Sequence, residues 1–140
     1  MKIVEVNKSN REIVDLINNS SRKENLKSFV DDNFIIDTNT IYKCIAEVEK
    51  EEIKNYCIYT GQKDTRFVQM IVEDLSNKHF LEKSISYAFS NLDCYTITIF
   101  TDKKNKLLEE LNFENLGNDN GIITYIKDKE IEKEVGRLRL

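Results

Sequence analysis

The sequence contains no proline, no internal repeat and no low-complexity stretch. Proline-rich and low-complexity segments often mark the linkers between domains. Because the sequence has none, we expect residues 1–140 to form a single domain. The sequence also has no run of about 18 to 20 apolar residues, the length that a membrane-spanning helix requires. Its first ten residues, MKIVEVNKSN, lack the apolar core of a signal peptide. These absences predict a cytoplasmic protein.

The chain has no strong excess of one charge. Its net charge is -4 at pH 7, and acidic and basic residues are interspersed. The composition therefore favours neither nucleic acid nor a membrane surface as a partner. With 40% apolar and 33% charged residues, the sequence is typical of a soluble folded protein.

Histidine and cysteine are too few for the common catalytic and metal sites. His79 is the only histidine, and the three cysteines are widely spaced within apolar runs (Cys44, Cys57 and Cys94). We expect the cysteines to be buried and reduced, because a free cysteine behaves as a small apolar residue. A Cys–His catalytic pair is not favoured, and we expect no metal.

The stretch from Arg66 to Leu92 organises the chain. Residues 67–72, FVQMIV, are nearly all apolar and predict a strand at the centre of a sheet, buried on both faces. After a polar turn, apolar residues recur at helical spacing and predict a helix against that sheet (Leu81, Ile85, Ala88 and Leu92). Residues 94–101 alternate as a strand does. Together, residues 67–101 predict a right-handed β-α-β crossover with parallel strands.

The flanking segments predict antiparallel strands and further helices. A helix is expected to begin at a capping box formed by Ser9 and Glu12, and Asp102 is expected to cap a last short helix. The whole predicts an α+β fold of the three-layer α/β type, with a mixed central sheet of about six to seven strands. The predicted flanking elements are a strand at 2–6, helical segments at 9–17 and 22–30, a hairpin of 41–49 with 53–60, a helix at 103–111 and a hairpin of 113–116 with 122–127. Residues 128–140 form a charged tail to which we assign no role.

The polar turn after Val72 is the first candidate site. The first turn of a helix leaves backbone N–H groups unpaired and attracts anions. Asp74 and Ser76 are candidate caps for the helix that follows. Glu73 is the candidate general base, because carboxylates at the ends of buried strands lie near the crevice where ligands bind.

Residues 105–117 read NKLLEELNFENLG. This segment resembles the N-x-x-A-x-x-L-Y-E-K-L-G-F-x-x-x-G helix and strand of the GNAT superfamily of N-acyltransferases, which use acetyl-CoA. The matching residues are Asn105, Leu107, Glu109, Leu111, Phe113 and Gly117. The resemblance implies that the backbone of Met70, Ile71 and Val72 binds CoA, with contributions from Lys78 and Asn105.

The family's pyrophosphate pattern, V-x-P-x-[YF]-[RQ]-x-x-G-x-[GA], is matched only at Val72. Its other conserved positions hold Asp74, Ser76, Asn77, Phe80 and Glu82. Phe80 is expected to crowd the phosphates, and Glu82 to repel them. Leu108 stands where the family often has a tyrosine general acid.

Two hypotheses follow. The first is an N-acyltransferase that transfers an acetyl or other acyl group from CoA to an amine. The alternative is a catalytically inactive GNAT-like module that binds a protein partner or another small ligand. The acceptor amine and a homodimeric assembly are left open.

Overall fold

The computed structural model describes residues 2–7, 9–20, 23–31 and 39–129, and these residues form seven strands and four helices. In chain order the elements are β1 (Lys2–Glu5), α1 (Arg11–Asn18), α2 (Glu24–Asp31), β2 (Thr40–Glu49), β3 (Glu52–Gln62), β4 (Phe67–Val72), α3 (Lys78–Asn91), β5 (Thr96–Thr101), α4 (Lys106–Glu110), β6 (Glu114–Asp119) and β7 (Ile122–Asp128). Most of the charged tail, residues 130–140, lies outside the described residues.

The strands form one mixed sheet in the order β1-β2-β3-β4-β5-β7-β6. Among the described strands, β4 and β5 are the one parallel pair, and α3 connects them, whereas every other neighbouring pair is antiparallel. The predicted α+β fold, the crossover at 67–101 and the flanking hairpins are therefore confirmed.

Helices cover the sheet on both faces. On one face, α3 and α4 pack over a core that extends from β2 to β7 and includes Tyr59, Met70, Ile97 and Tyr125. On the other face, α1 and α2 pack over β1 to β3, with Ile17 and Leu26 fully buried. The strand β4 lies at the middle of the sheet as predicted. The prediction that it is buried on both faces is wrong at Phe67, which is 58% exposed. Among the described residues, no helix covers the sheet at that position on the α1 side.

Helix α3 has the predicted apolar face. The four residues predicted to face the sheet are at most 8% exposed (Leu81, Ile85, Ala88 and Leu92). The predicted caps are wrong, because Asn77 is the N-cap, and its side chain accepts the Phe80 N–H at 3.0 Å. Asp74 instead accepts hydrogen bonds from the N–H and the hydroxyl of Ser76, at 2.9 and 2.6 Å.

Two further caps also differ from the prediction. Helix α1 is capped by Asn10, whereas the Ser9 hydroxyl donates to Asn7 at 2.7 Å. Helix α4 is capped by Asn105 in place of Asp102. In each case an asparagine nearer to the helix takes the capping position, and its short carboxamide reaches the first-turn N–H groups.

Local chemistry accounts for the final hairpin. Asn120 and Gly121 connect β6 to β7 with φ angles of 53° and 85°. A two-residue turn of this kind needs positive φ at both positions, which Asn-Gly adopts readily. The Asn118 side chain also accepts the Gly121 N–H at 2.9 Å.

The three cysteines are free and buried, as predicted. Burial raises the pKa of the Cys57 thiol to about 12. Within the described part of the chain, no helix is long and apolar enough to cross a membrane.

Candidate functional site

The sheet opens between its two parallel strands. Strands β4 and β5 pair only at Phe67 with Thr96, Val68 with Ile97 and Gln69 with Thr98. Beyond these pairs, β4 continues alongside β3 as far as Val72, and β5 continues alongside β7 as far as Thr101. Residues 70–72 and 99–101 therefore diverge, and we call the gap between them the open seam.

The opposite end of this strand pair is closed by polar contacts. The Arg66 carbonyl accepts the N–H groups of both Tyr95 and Thr96, at 2.7 and 3.2 Å. The Arg66 guanidinium lies 3.0 Å from the Asp93 carboxylate. Because these contacts fix where the strands meet, the seam opens only toward their carboxyl ends.

Three of the predicted cofactor-binding residues line the seam. Met70, Ile71 and Val72 pair with Tyr59, Ile58 and Cys57 of β3. Successive residues of a strand direct their backbone groups to alternate edges. Beyond Gln69, the backbone groups of β4 that point toward β5 therefore have no partner among the described strands and are available to a ligand with amide groups.

Two helices begin at the open end of the seam. Since β4 and β5 are parallel, α3 and α4 both begin beside their carboxyl ends, and both pack on the same face of the sheet. Lys78 is the first residue of α3, and Asn105 caps α4. The structure thus brings Lys78, Asn105 and residues 70–72 to the same end of the sheet.

The first turn of α3 is partly available to an anion. Asn77 occupies the Phe80 N–H, which leaves the N–H groups of Lys78 and His79 without a protein partner among the described residues. Phe80 is fully buried in the core, so its ring does not crowd this turn as expected from the sequence. Glu82 is exposed on the same helix.

The turn before α3 is held by a residue that sequence reasoning missed. Asn55 on β3 is 1% exposed and donates from Nδ2 to the Asp74 carbonyl at 3.0 Å. Its Oδ1 accepts the Asp74 N–H at 3.1 Å and the Tyr56 N–H at 2.9 Å. The signal in the sequence was a carboxamide within an otherwise apolar strand, because a buried carboxamide needs partners.

The charge of the turn is mixed. Two hydrogen bonds from Ser76, with a smaller effect of nearby Lys23, hold the pKa of Asp74 below its usual value. A negative Asp74 and Glu82 oppose an anion here, whereas Lys78 and the free helix N–H groups attract one. The site therefore differs from a glycine-rich phosphate loop, in which only backbone groups face the phosphates.

The predicted base, Glu73, lies at the other face of the seam. Its carboxylate forms an ion pair with Lys23, which precedes α2, and its N–H donates to the Tyr56 carbonyl at 3.1 Å. Burial raises the pKa of Tyr56, a hydrogen bond with Asn25 opposes the rise, and the nearby Glu73 carboxylate adds to it. The structure thus separates Glu73, on the α2 side, from the starts of α3 and α4.

A second group that the sequence did not reveal surrounds the start of α4. The Tyr125 hydroxyl donates to Glu109 Oε2 at 2.9 Å and accepts the Asn105 N–H at 3.0 Å. Burial is the main cause of a raised pKa of Tyr125. Leu108, at the position of the family's tyrosine, is fully buried beside this group. No pattern along the sequence connects Tyr125 on β7 with α4.

Solved structures with the same arrangement of elements identify the fold. The N-acetyltransferase PseH of Campylobacter jejuni matches with a TM-score of 0.61 and 17% identity, over 91% of this chain and 99% of PseH. A chimera of the spermidine N-acetyltransferase SpeG of Vibrio cholerae and hSSAT matches with a TM-score of 0.65 and 12% identity, over 98% of this chain and 100% of the chimera. The chain has the GNAT fold.

A third structure supports the same fold. The aminoglycoside 6'-N-acetyltransferase of Enterococcus faecium matches with a TM-score of 0.61 and 14% identity, over 91% of this chain and 97% of its own. PseH has also been solved in complex with acetyl coenzyme A. No family model and no curated protein matches the sequence. Identities this low show a shared fold, and the GNAT-type fold expected from the sequence is confirmed. The motif match over residues 105–117 stays a prediction.

Proposed function

We propose that this protein is an N-acyltransferase that binds an acyl-CoA and transfers the acyl group to an amine. The observation that supports this most is the open seam. It places unpaired strand groups of residues 70–72 beside the starts of two helices, within a GNAT fold. The proposed location is the cytoplasm. The acceptor amine, a homodimeric assembly and the lack of nucleic-acid and membrane partners stay predictions.

The residues present fit a CoA in two respects. The β5-facing backbone groups of residues 70–72 suit the amides of its pantetheine chain, since both sides supply donors and acceptors. Lys78 and the free N–H groups at the start of α3 suit its phosphates. Asn105 and the Tyr125 hydroxyl lie at the start of α4, on the same face. When bound, the cofactor supplies the acyl thioester.

Acyl transfer to an amine also requires that a proton be removed from the amine. Glu73 is the carboxylate at the open end of the seam and lies on the face opposite α3. Because β4 and β5 are unpaired there, we infer that the acyl group and the amine meet across this gap. We assign Glu73 the role of proton acceptor from the amine. No residue is assigned as the proton donor to the leaving thiolate.

Calorimetric titration with acetyl-CoA and CoA tests the proposal. We expect binding at micromolar to low millimolar ligand and release of free thiol when primary amines are added. Lys78→Gln should weaken binding about threefold to tenfold, because one charge near the phosphates is worth on the order of 1 kcal/mol. Lys83→Gln is the matched control, because Lys83 is an exposed lysine of the same helix, beyond its first turn.

The outcomes separate the two hypotheses. No binding at millimolar acetyl-CoA or CoA would overturn the enzyme and favour the inactive module. Binding without thiol release for any primary amine would leave a CoA-binding module that lacks the reaction. Equal effects of Lys78→Gln and Lys83→Gln would show that the phosphates do not lie at the start of α3.

A further inference from the structure

Lys23 forms an ion pair with the residue that we assign as proton acceptor. Its ammonium is in ion-pair contact with the Glu73 carboxylate, and the two side chains are only 16% and 23% exposed. The other ion pairs among the described residues, Glu52 with Lys54 and Arg66 with Asp93, have side chains 42–69% exposed. The Lys23 pair is therefore the most enclosed of the three, and water screens it least.

The position of this pair connects it to the seam. Glu73 directly follows Val72, the last residue of the unpaired stretch of β4, and the Glu73 N–H remains bonded to Tyr56 of β3. The Cα atom of Glu73 is thus one residue, about 3.8 Å, from that of Val72 at the end of the seam. A primary amine on a four-carbon chain is already bound to the group that we assign as proton acceptor.

We propose that Lys23 is itself acylated by this protein, an inference that rests on the proposed function. The Lys23 ammonium gives a proton to a Glu73 carboxylate oxygen, and the free amine forms a bond to the carbonyl carbon of the acyl-CoA thioester. The carbon–sulfur bond breaks and CoA leaves as a thiolate. The nitrogen loses its second proton, which the thiolate takes up, and Lys23 becomes a neutral amide.

The product has a consequence for Glu73. An acylated Lys23 has no positive charge and cannot keep the ion pair. The Glu73 carboxylate then becomes available to the ammonium group of a separate acceptor. Self-acylation of Lys23 therefore changes an occupied amine site into a vacant one, and the acceptor class that fits this site is a primary alkylamine.

Mass spectrometry tests the covalent step. The whole protein is incubated with acetyl-CoA, and each lysine is quantified by peptide mapping over time. We expect Lys23 to gain an acetyl group first and close to stoichiometrically, and Glu73→Gln to slow this about 100-fold, the lower range for loss of a general base. Lys54 is the matched control, because it also contacts a glutamate but is 42% exposed. Lys23→Arg keeps a positive charge and should show no early acetylation.

Binding of a small amine tests the consequence without any cofactor. In calorimetry with n-butylamine, Lys23→Gln, which imitates the acylated state, should bind about tenfold more tightly than the unmodified protein and Lys23→Arg. The double variant Lys23→Gln, Glu73→Gln should lose this gain. Equal affinities in all four proteins would overturn the assignment of the Glu73 carboxylate as an amine site covered by Lys23.

The failure of this inference is distinct from that of the proposed function. If acetyl-CoA binds and external amines are acetylated, but Lys23 is modified no faster than Lys54, self-acylation is wrong and the N-acyltransferase stands. If acetyl-CoA does not bind, both are wrong. If Lys23 is acetylated equally fast in Glu73→Gln, the modification is direct chemical acetylation and the inference is wrong.

Discussion

Asn55 contacts both backbone groups of Asp74, a residue 19 positions later in the chain, with distances of 3.0 and 3.1 Å. This buried carboxamide fixes the turn between β4 and α3. Asn55→Ala would leave the Asp74 backbone groups without these partners, and we expect the free energy of unfolding to fall by about 1–3 kcal/mol in urea denaturation.

Asn91→Ala is the control for this change. Asn91 also donates a side-chain hydrogen bond, to the Tyr87 carbonyl at 3.2 Å, but it is exposed. We expect a change within about 0.5 kcal/mol. Losses of equal size in the two variants would show that Asn55 does not stabilise the turn.

Phe80 and Glu82 are expected to have separable effects. Phe80 is fully buried, so Phe80→Ala should lower the free energy of unfolding by about 3–5 kcal/mol without improving affinity for CoA. Glu82→Gln should barely change stability and should raise CoA affinity about fivefold at low salt, because it removes a negative charge near the start of α3. The gain should shrink as salt is added. A gain in CoA affinity from Phe80→Ala would contradict the inward position of the ring.

Tyr125→Phe removes the hydroxyl shared by Asn105 and Glu109. We expect the free energy of unfolding to fall by about 1–2 kcal/mol, because the Asn105 N–H then loses its partner. Tyr95→Phe, at an exposed position, should change stability by less than about 0.5 kcal/mol. A stable Tyr125→Phe protein would show that water replaces the hydroxyl.

Stability should fall at alkaline pH. Burial raises the pKa of Cys57 to about 12, and burial together with the Glu5 carboxylate raises the pKa of Tyr87 to about 12. Both groups are neutral when protonated. Their contribution to the free energy of unfolding is therefore complete below their ordinary pKa values of 9.0 and 10.0 and is lost as pH rises toward 12. Each group should lower the free energy of unfolding by about 1.4 kcal/mol per pH unit in this window.

Urea denaturation between pH 8 and 11 measures this slope. Tyr87→Phe should make the fall with pH less steep above pH 10, whereas Tyr95→Phe should leave it unchanged. A slope that does not respond to Tyr87→Phe would show that Tyr87 ionises alike in the folded and unfolded chains.

The sequence predicted the elements that depend on local periodicity. The apolar spacing of Leu81, Ile85 and Ala88 predicted both the helix and its buried face, because residues at this spacing lie on one side of a helix. The order of strand, helix and strand over residues 67–101 then determined the parallel pair. The Asn120-Gly121 turn is equally local, since its positive φ angles follow from those two residues.

The features that the sequence could not reveal depend on contacts between distant segments. Lys23 and Glu73 are 50 residues apart, and no periodicity relates them. Asp74, Ser76 and Asn77 are all residue types that cap helices. In the structure Asp74 hydrogen-bonds to Asn55 and Ser76, and Asn77 caps α3. Phe80 aligned with a glycine of the family pattern, but only the packing of α3 shows that its ring points inward.

The open seam also separates the strands that come first in the sequence from those that come last. Strands β1 to β4 precede α3 and strands β5 to β7 follow it, so within the described residues the chain crosses the seam once, through α3. Three residue pairs join the two halves of the sheet. Both halves also contribute residues to the core beneath α3, which includes Leu81 and Ala88, so we expect packing in this core to influence the width of the seam. Substitutions in the buried core should therefore change ligand access to the seam without contacting the ligand.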